Sequence, residues 1–312
     1  MLCYPTTSNA QKTVVVIPKA TIMHFWKIIC LGAHKAVQGE DVNLIWRGPR
    51  VENKAEAQIH LLKFYTEKKV DAIVIAPSDK ERLNPYLEKA VKAGIKVVII
   101  DSPVTSKAPH AYIATDNYKS GTIGAELLAK KVSQKGPLLL IGHKPENGAS
   151  YLREQGFINR INELMPGRSI IRMHMKDGSE RETRIVVEEI LTAMPSIAGI
   201  FSVNEPTSDG VLHVLKKHAD IKIPFVAFDY NKNLEKGVKE GKICALITQK
   251  PYTMGFLGVK TAMDLLSGKK VIKKMESPVT VITSENMDRS DIITGLHKMT
   301  VKERSDCPIC FN

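Results

Sequence analysis

Short apolar runs alternate with longer amphipathic stretches through most of the chain. Residues 13–17, 42–46, 72–75 and 97–100 read as strands. Val97-Val98-Ile99-Ile100 is apolar without interruption, which predicts burial on both faces of a sheet. Between these runs, residues 25–36, 55–69 and 83–93 carry apolar positions at helical spacing. Phe25, Ile28, Ile29, Leu31 and Ala36 make one broad face, and Ile59, Leu62 and Tyr65 another. Strands alternating with helices at this spacing predict βαβ units and a parallel sheet.

The pattern then restarts. Residues 111–114, 137–141, 170–173, 198–202, 224–229, 244–248 and 279–282 read as strands, separated by helical stretches at 120–132, 150–165, 180–194, 207–218, 234–240 and 252–266. Residues 284–312 are polar, lose periodicity after Leu296, and read as a poorly ordered tail. The two halves share one device. The run 97–100 delivers Asp101, and Pro103 then ends the ladder because it has no N–H. The run Phe225-Val226-Ala227-Phe228 delivers Asp229 in the same way. In open α/β sheets ligands bind outside the carboxyl ends of strands, so two such halves predict two lobes facing one cleft. No Gly/Ser-rich linker separates them, which predicts several short crossings between lobes rather than one tether.

Such a cleft would collect Asp79, Asp101, Asn204, Asp229 and Gln249, with Arg153 from the start of a helix. Acceptors and donors in this mixture suit a neutral polyhydroxyl ligand, whose hydroxyls both donate and accept. Phe25 and Trp26 would add flat faces for the ligand's C–H surface, with core packing as the competing role. Asn204 doubles as a helix cap before Pro206. Catalytic signatures are missing: there is no Gly-x-Ser-x-Gly, no Gly-x-x-x-x-Gly-Lys-Ser/Thr and no Gly-x-Gly-x-x-Gly. His24, His143 and His218 have no partner at motif spacing. The expectation is a protein without a cofactor and without catalysis.

Length and charge sharpen this only a little. A chain of 312 residues fits about two domains. The formal charge of +12 raises nucleic acid or an anionic ligand, but the basic residues are dispersed, which predicts a solvated basic surface and no nucleic-acid partner. No run approaches the roughly 18 apolar residues of a membrane helix. Residues 1–13 lack the apolar core of a signal peptide, so the chain is cytosolic or has lost its export signal; Leu2-Cys3 leaves a trimmed lipoprotein as a third option. Five cysteines exclude complete pairing. Cys30 reads as a small core residue. Cys307-Pro308-Ile309-Cys310 offers only two ligands, so a terminal disulfide or a loose tail is expected in place of a metal site.

Several stretches together resemble the type I periplasmic sugar-binding proteins of the ribose-binding class. They are Phe25-Trp26, Ile100-Asp101, Ala114-Thr115-Asp116-Asn117-Tyr118, Arg153-Glu154-Gln155-Gly156-Phe157, Phe201-Ser202-Val203-Asn204-Glu205, Val226-Ala227-Phe228-Asp229 and Ile247-Thr248-Gln249-Lys250-Pro251. The likeness runs over about residues 12–283. It implies two Rossmann-like α/β lobes with parallel sheets joined by a three-segment hinge, one lobe from 12–115 plus 250–279 and the other from 116–249 plus 280–296, with 297–312 as a tail. It implies that Phe25 and Trp26 stack on sugar, that Asp101 binds hydroxyls from the first lobe, and that Arg153, Asn204, Asp229 and Gln249 do so from the second lobe and hinge. Ser102 stands where the ribose binders have Arg, Ala76 where they have Asn with Asp79 nearby, and an aromatic expected near Gly178 or Ser179 is missing. A sugar-like site not selective for ribose is therefore expected. The implied protein is a monomer outside the cytoplasm that captures a monosaccharide or polyol by hinge closure and presents it to an ABC-transporter permease or a membrane sensor domain. Alternatives are the effector-binding part of a LacI-type regulator, for which twelve residues before the first strand leave no room for a DNA-binding segment, a sugar-processing enzyme using Asp101 and Asp229, and a binder of phosphorylated sugar drawing on Arg47 and Arg50.

Overall fold

Val14 and Val16 pack on one face of a sheet, while Val15 and Ile17 pack on the other. That alternation is the two-residue period of a strand buried on both sides. The computed structural model describes residues 11–176, 178–218, 220–297 and 310. Its first half runs β1 (Lys12–Ile17), α1 (His24–Ala36), β2 (Val42–Trp46), α2 (Ala55–Glu67), β3 (Ala72–Ile75), α3 (Asn84–Lys92), β4 (Lys96–Ile100) and β5 (Ala111–Thr115). The second half runs α4 (Asn117–Ala129), β6 (Leu138–His143), α5 (Gly148–Leu164), β7 (Ile170–Met175), α6 (Glu180–Ala193), β8 (Gly199–Ser202), α7 (Glu205–Lys217), β9 (Phe225–Phe228), α8 (Lys232–Lys239) and β10 (Ala245–Thr248). It closes with α9 (Pro251–Leu266), β11 (Lys274–Ser277), β12 (Thr280–Ile282) and α10 (Ser290–His297).

These strands form two six-stranded sheets, ordered β11-β5-β4-β3-β1-β2 and β12-β10-β9-β8-β6-β7. The chain therefore passes between sheets after β5, after β10 and between β11 and β12. Every pairing is parallel except that of β12 with β10, which is antiparallel. Each sheet is covered on both faces by apolar clusters, with Leu139 and Ile141 on one side of the second sheet and Leu138 and Leu140 on the other. Among the described residues no helix is long and apolar enough to cross a membrane.

Three features depart from the sequence reading. The strand β11 is absent from the pattern because Lys274-Met275-Glu276-Ser277 has no β-branched residue and alternates charge; it lies at a sheet edge, where charged side chains are tolerated. The expected tail contains α10, and Met287 and Ile292 are buried in the core of the second lobe. Cys30 is no lone core thiol, nor does Cys310 form a local terminal bridge: the two are disulfide-bonded across 280 residues of sequence. Cys307 and Cys3 lie outside the described residues.

Candidate binding site between the lobes

In a parallel sheet each strand's carboxyl end leads into the N-terminus of the next helix. The crevice between two such sheets is thus faced by loop side chains and helix N-termini. A narrow cavity lined from both lobes lies there. The first lobe supplies Lys19 and Met23 after β1, Phe25 and Trp26 on α1, Glu52 after β2 and Asp101 after β4. The second supplies Asn147, Ala149, Ser150 and Arg153 around the start of α5, Asn204 after β8, Asp229 after β9 and Gln249 after β10.

Asp101 and Asp229 both adopt left-handed backbone, with φ of 63° and 67°. Asp tolerates this region better than most residues, and such outliers gather where a side chain must be aimed. Their N–H groups still reach the neighbouring strands, Asp101 donating to Ile113 O at 3.0 Å and Asp229 to Ile247 O at 2.8 Å. Each carboxylate is thereby turned off the ladder into the cavity.

The polar groups hold one another. Lys19 Nζ lies 2.7 Å from Asp101 Oδ2 and donates to Ser102 Oγ and, across the cleft, to Asn147 Oδ1 at 3.2 Å. Trp26 Nε1 donates to Glu52 Oε1 at 2.9 Å. Burial raises the pKa of Glu52, an effect that Lys19 opposes. On the other side Asp229 accepts from Gln249 Nε2 at 2.7 Å and from Glu205 N at 3.0 Å. Burial also raises the Asp229 pKa, against the pull of Arg153. The Arg153 guanidinium lies 3.9 Å over the Phe228 ring and donates to Asn117 Oδ1 at 2.8 Å and Val203 O at 2.7 Å. Gln249 Oε1 accepts from Thr115 Oγ1 at 2.7 Å, joining two of the crossing segments.

The lobes are in contact across the cleft. Phe25 N donates to Glu205 Oε2 at 3.2 Å, Ala149 N to Ser102 Oγ at 3.3 Å, and Lys80 N to Glu146 O at 3.1 Å. This is a closed conformation.

Of the residues singled out in the sequence, Phe25, Trp26, Asp101, Arg153, Asn204, Asp229 and Gln249 line the cavity together. Both aromatics also belong to the first lobe's core, packed edge to face at 5.0 Å, so the same rings line the cavity and pack the core. Asn204 faces the cavity while capping α7 through a reciprocal bond with Thr207. Ser102 is fully buried behind Asp101 and is not a lining residue; it anchors Lys19 and Ala149. Asp79 is the clear departure. Its Oδ1 accepts from the N–H groups of Glu81 and Arg82, and it faces a neighbouring crevice with Asn53, Arg82 and Lys144. Lys19, Glu52, Asn147 and Ser150 were not found from the sequence. A lysine directly after an apolar run and Pro18 is a local signal for the first, whereas nothing local marks Glu52.

The periplasmic binding protein domain family matches residues 14–270. The chain belongs to this family. As a periplasmic binding protein it is 26% identical over 235 residues, 75% of each chain, to the ribose import binding protein of Bacillus subtilis. A carbohydrate transporter solute-binding protein from Agrobacterium radiobacter, solved with D-arabinose, superposes with a TM-score of 0.88 at 29% identity, covering 92% of this chain and 99% of the other. A solute-binding protein of an ABC transporter from Agrobacterium vitis, solved with D-fucose, gives 0.86 at 31% identity over 90% and 98%. The two-lobed α/β fold of this chain is the fold of that family.

Proposed function

We propose that this periplasmic binding protein captures an uncharged monosaccharide in the interlobe cavity, outside the cytoplasm, and hands it as a monomer to the permease of an ABC importer. The observation that carries the ligand class is the pair of left-handed aspartates, one from each lobe, facing the interlobe cavity beside Phe25 and Trp26. Carboxylates accept from hydroxyls, Arg153, Lys19 and the Gln249 and Asn147 amides donate, and the rings cover apolar sugar faces. Contacts from both lobes exist together only in the closed state, so ligand shifts the open–closed equilibrium by its differential affinity. The solute-binding relatives support this reading over enzyme or regulator.

Three carboxylates, Glu52, Asp101 and Asp229, face two cations, Lys19 and Arg153, and Lys19 is already paired with Asp101. Arg47 and Arg50 do not line the cavity. That balance disfavours a phosphorylated sugar. The test is a thermal-shift screen of aldoses, ketoses, polyols and sugar phosphates, followed by calorimetry at low and high salt. A neutral sugar should raise the melting temperature by mass action and bind with little salt dependence. Stabilisation by sugar phosphates alone, lost with salt, would overturn the reading.

A further inference from the structure

The two sulfurs that fasten residue 310 to α1 have a third donor beside them. Sγ of Cys30, Sγ of Cys310 and a ring nitrogen of His34 all lie within 4.8 Å of one another. Cys30 and His34 are four residues apart on α1 and so share one face of that helix. Nε2 of His34 is shielded from solvent and has no hydrogen-bond partner among the described residues, an arrangement that native interiors rarely leave unexplained. Burial lowers the His34 pKa, which favours the neutral ring, the form that can give a lone pair to a metal. Ile28, Leu31, Trp46 and Tyr252 surround the sulfurs with apolar and aromatic surface. Two sulfurs and an imidazole suit zinc-class cations and are poor donors for magnesium or calcium.

We propose that Cys30, His34 and Cys310 bind a zinc-class divalent cation when the two cysteines are reduced, and that the disulfide is the metal-free state of the same site. A dithiol reductant breaks the S–S bond, giving two electrons and two protons to the cysteine sulfurs and closing to its own disulfide. Binding of the cation then displaces both thiol protons and forms two thiolate bonds and one imidazole bond. The fourth tetrahedral position is left to another donor. In either state residue 310 is held on the first lobe. Ile292 is buried in the second lobe's core, so this bond is a link between lobes additional to the three crossings.

The test uses the full chain, reduced with dithiothreitol, freed of reductant under argon and titrated with cobalt(II). We expect one cobalt per chain, a thiolate-to-cobalt charge-transfer absorption, and its displacement by zinc. The disulfide form should take up none. Cys310→Ser and His34→Ala should each weaken the metal by more than the roughly 10–100-fold typical of outer-shell changes. Both should keep a cooperative melt and parental circular dichroism, because neither residue belongs to the apolar clusters that cover the two sheets. No cobalt uptake by the reduced chain, equal uptake before reduction, or unchanged uptake in both variants would overturn the site.

Discussion

Asp101 and Asp229 hold equivalent places in the two lobes, with nearly the same backbone, but their neighbours differ in kind. Asp101 is paired with the buried Lys19 ammonium of its own lobe, at 2.7 Å. Asp229 is held by neutral donors, the Gln249 amide and the Glu205 N–H, with Arg153 as its stabilising charge. The fold thus repeats the device that aims a carboxylate, while the electrostatics are set separately in each lobe. Helix packing repeats in the same manner. A Cβ on Gly32 of α1 would sit 2.0 Å from Tyr252 O of α9, and one on Gly121 of α4 would sit 2.0 Å from Arg153 O of α5. In the second lobe the backbone touched at this crossing is that of a cavity residue, Arg153, and in the first it is that of Tyr252, which does not line the cavity.

The largest effect should come from Asp101→Ala. It strands Lys19, whose side chain is 3% exposed, and leaving one member of a buried pair costs about 3–5 kcal/mol of stability. Asp229→Ala unpairs the Gln249 amide and the Glu205 N–H and removes a charge near Arg153, but Arg153 keeps its bonds to Asn117 and Val203, so the cost should be about 1–3 kcal/mol. Both should weaken sugar binding by about 2–4 kcal/mol, since each leaves ligand hydroxyls unmatched. Urea unfolding and calorimetry read the two quantities separately. Equal loss of stability in the two variants would mean that Lys19 does not depend on Asp101.

The glycine crossings give the next test. Gly32→Ala and Gly121→Ala both press a methyl against backbone, which has little room to yield, and each should cost roughly 1–3 kcal/mol in thermal or urea unfolding. Sugar affinity separates them. Gly121→Ala pushes on the backbone of Arg153 and should lower affinity beyond any effect of Gly32→Ala. Equal affinities would show that Arg153 keeps its place without the close approach.

The same contrast marks what the sequence can reveal. Asp101 and Asp229 end buried apolar runs, and Gln249 and Arg153 sit in short family-like stretches, so their positions are local and legible. The succession of strands and helices follows from the alternation of periods. Lys19 and Glu52 are defined by partners far along the chain, and no local spacing carries that information. Asp79 resembles the others in standing near a strand end, yet a local turn takes its carboxylate, because the N–H groups of Glu81 and Arg82 are two and three residues away. Cys30 and Cys310 are separated by nearly the whole chain, so pairing rules based on nearby cysteines point elsewhere.

The smallest predicted effect concerns Glu205, which belongs to the second lobe and accepts from the Phe25 N–H of the first. Burial, followed by the negative charge of Asp229, pushes its pKa up to about 8. Opening the cleft rehydrates this carboxyl and returns it toward its ordinary 4.5. The closed form therefore holds a proton that the open form has released at pH values between those two limits. Closure is fully favoured below the lower limit and loses that contribution as pH rises through the upper one, by at most about 1.4 kcal/mol per unit. The Phe25 and Asn231 hydrogen bonds favour the ionised carboxylate and already hold this value down. Sugar affinity in the parent protein should therefore fall by roughly threefold to tenfold between about pH 6 and about pH 8.5. Glu205→Gln keeps an acceptor for Phe25 and cannot ionise, so its affinity should be flatter over the same range. A Glu205→Gln variant with the parental pH slope would move the titrating group to Asp229 or Glu52, whose carboxyls are also raised by burial.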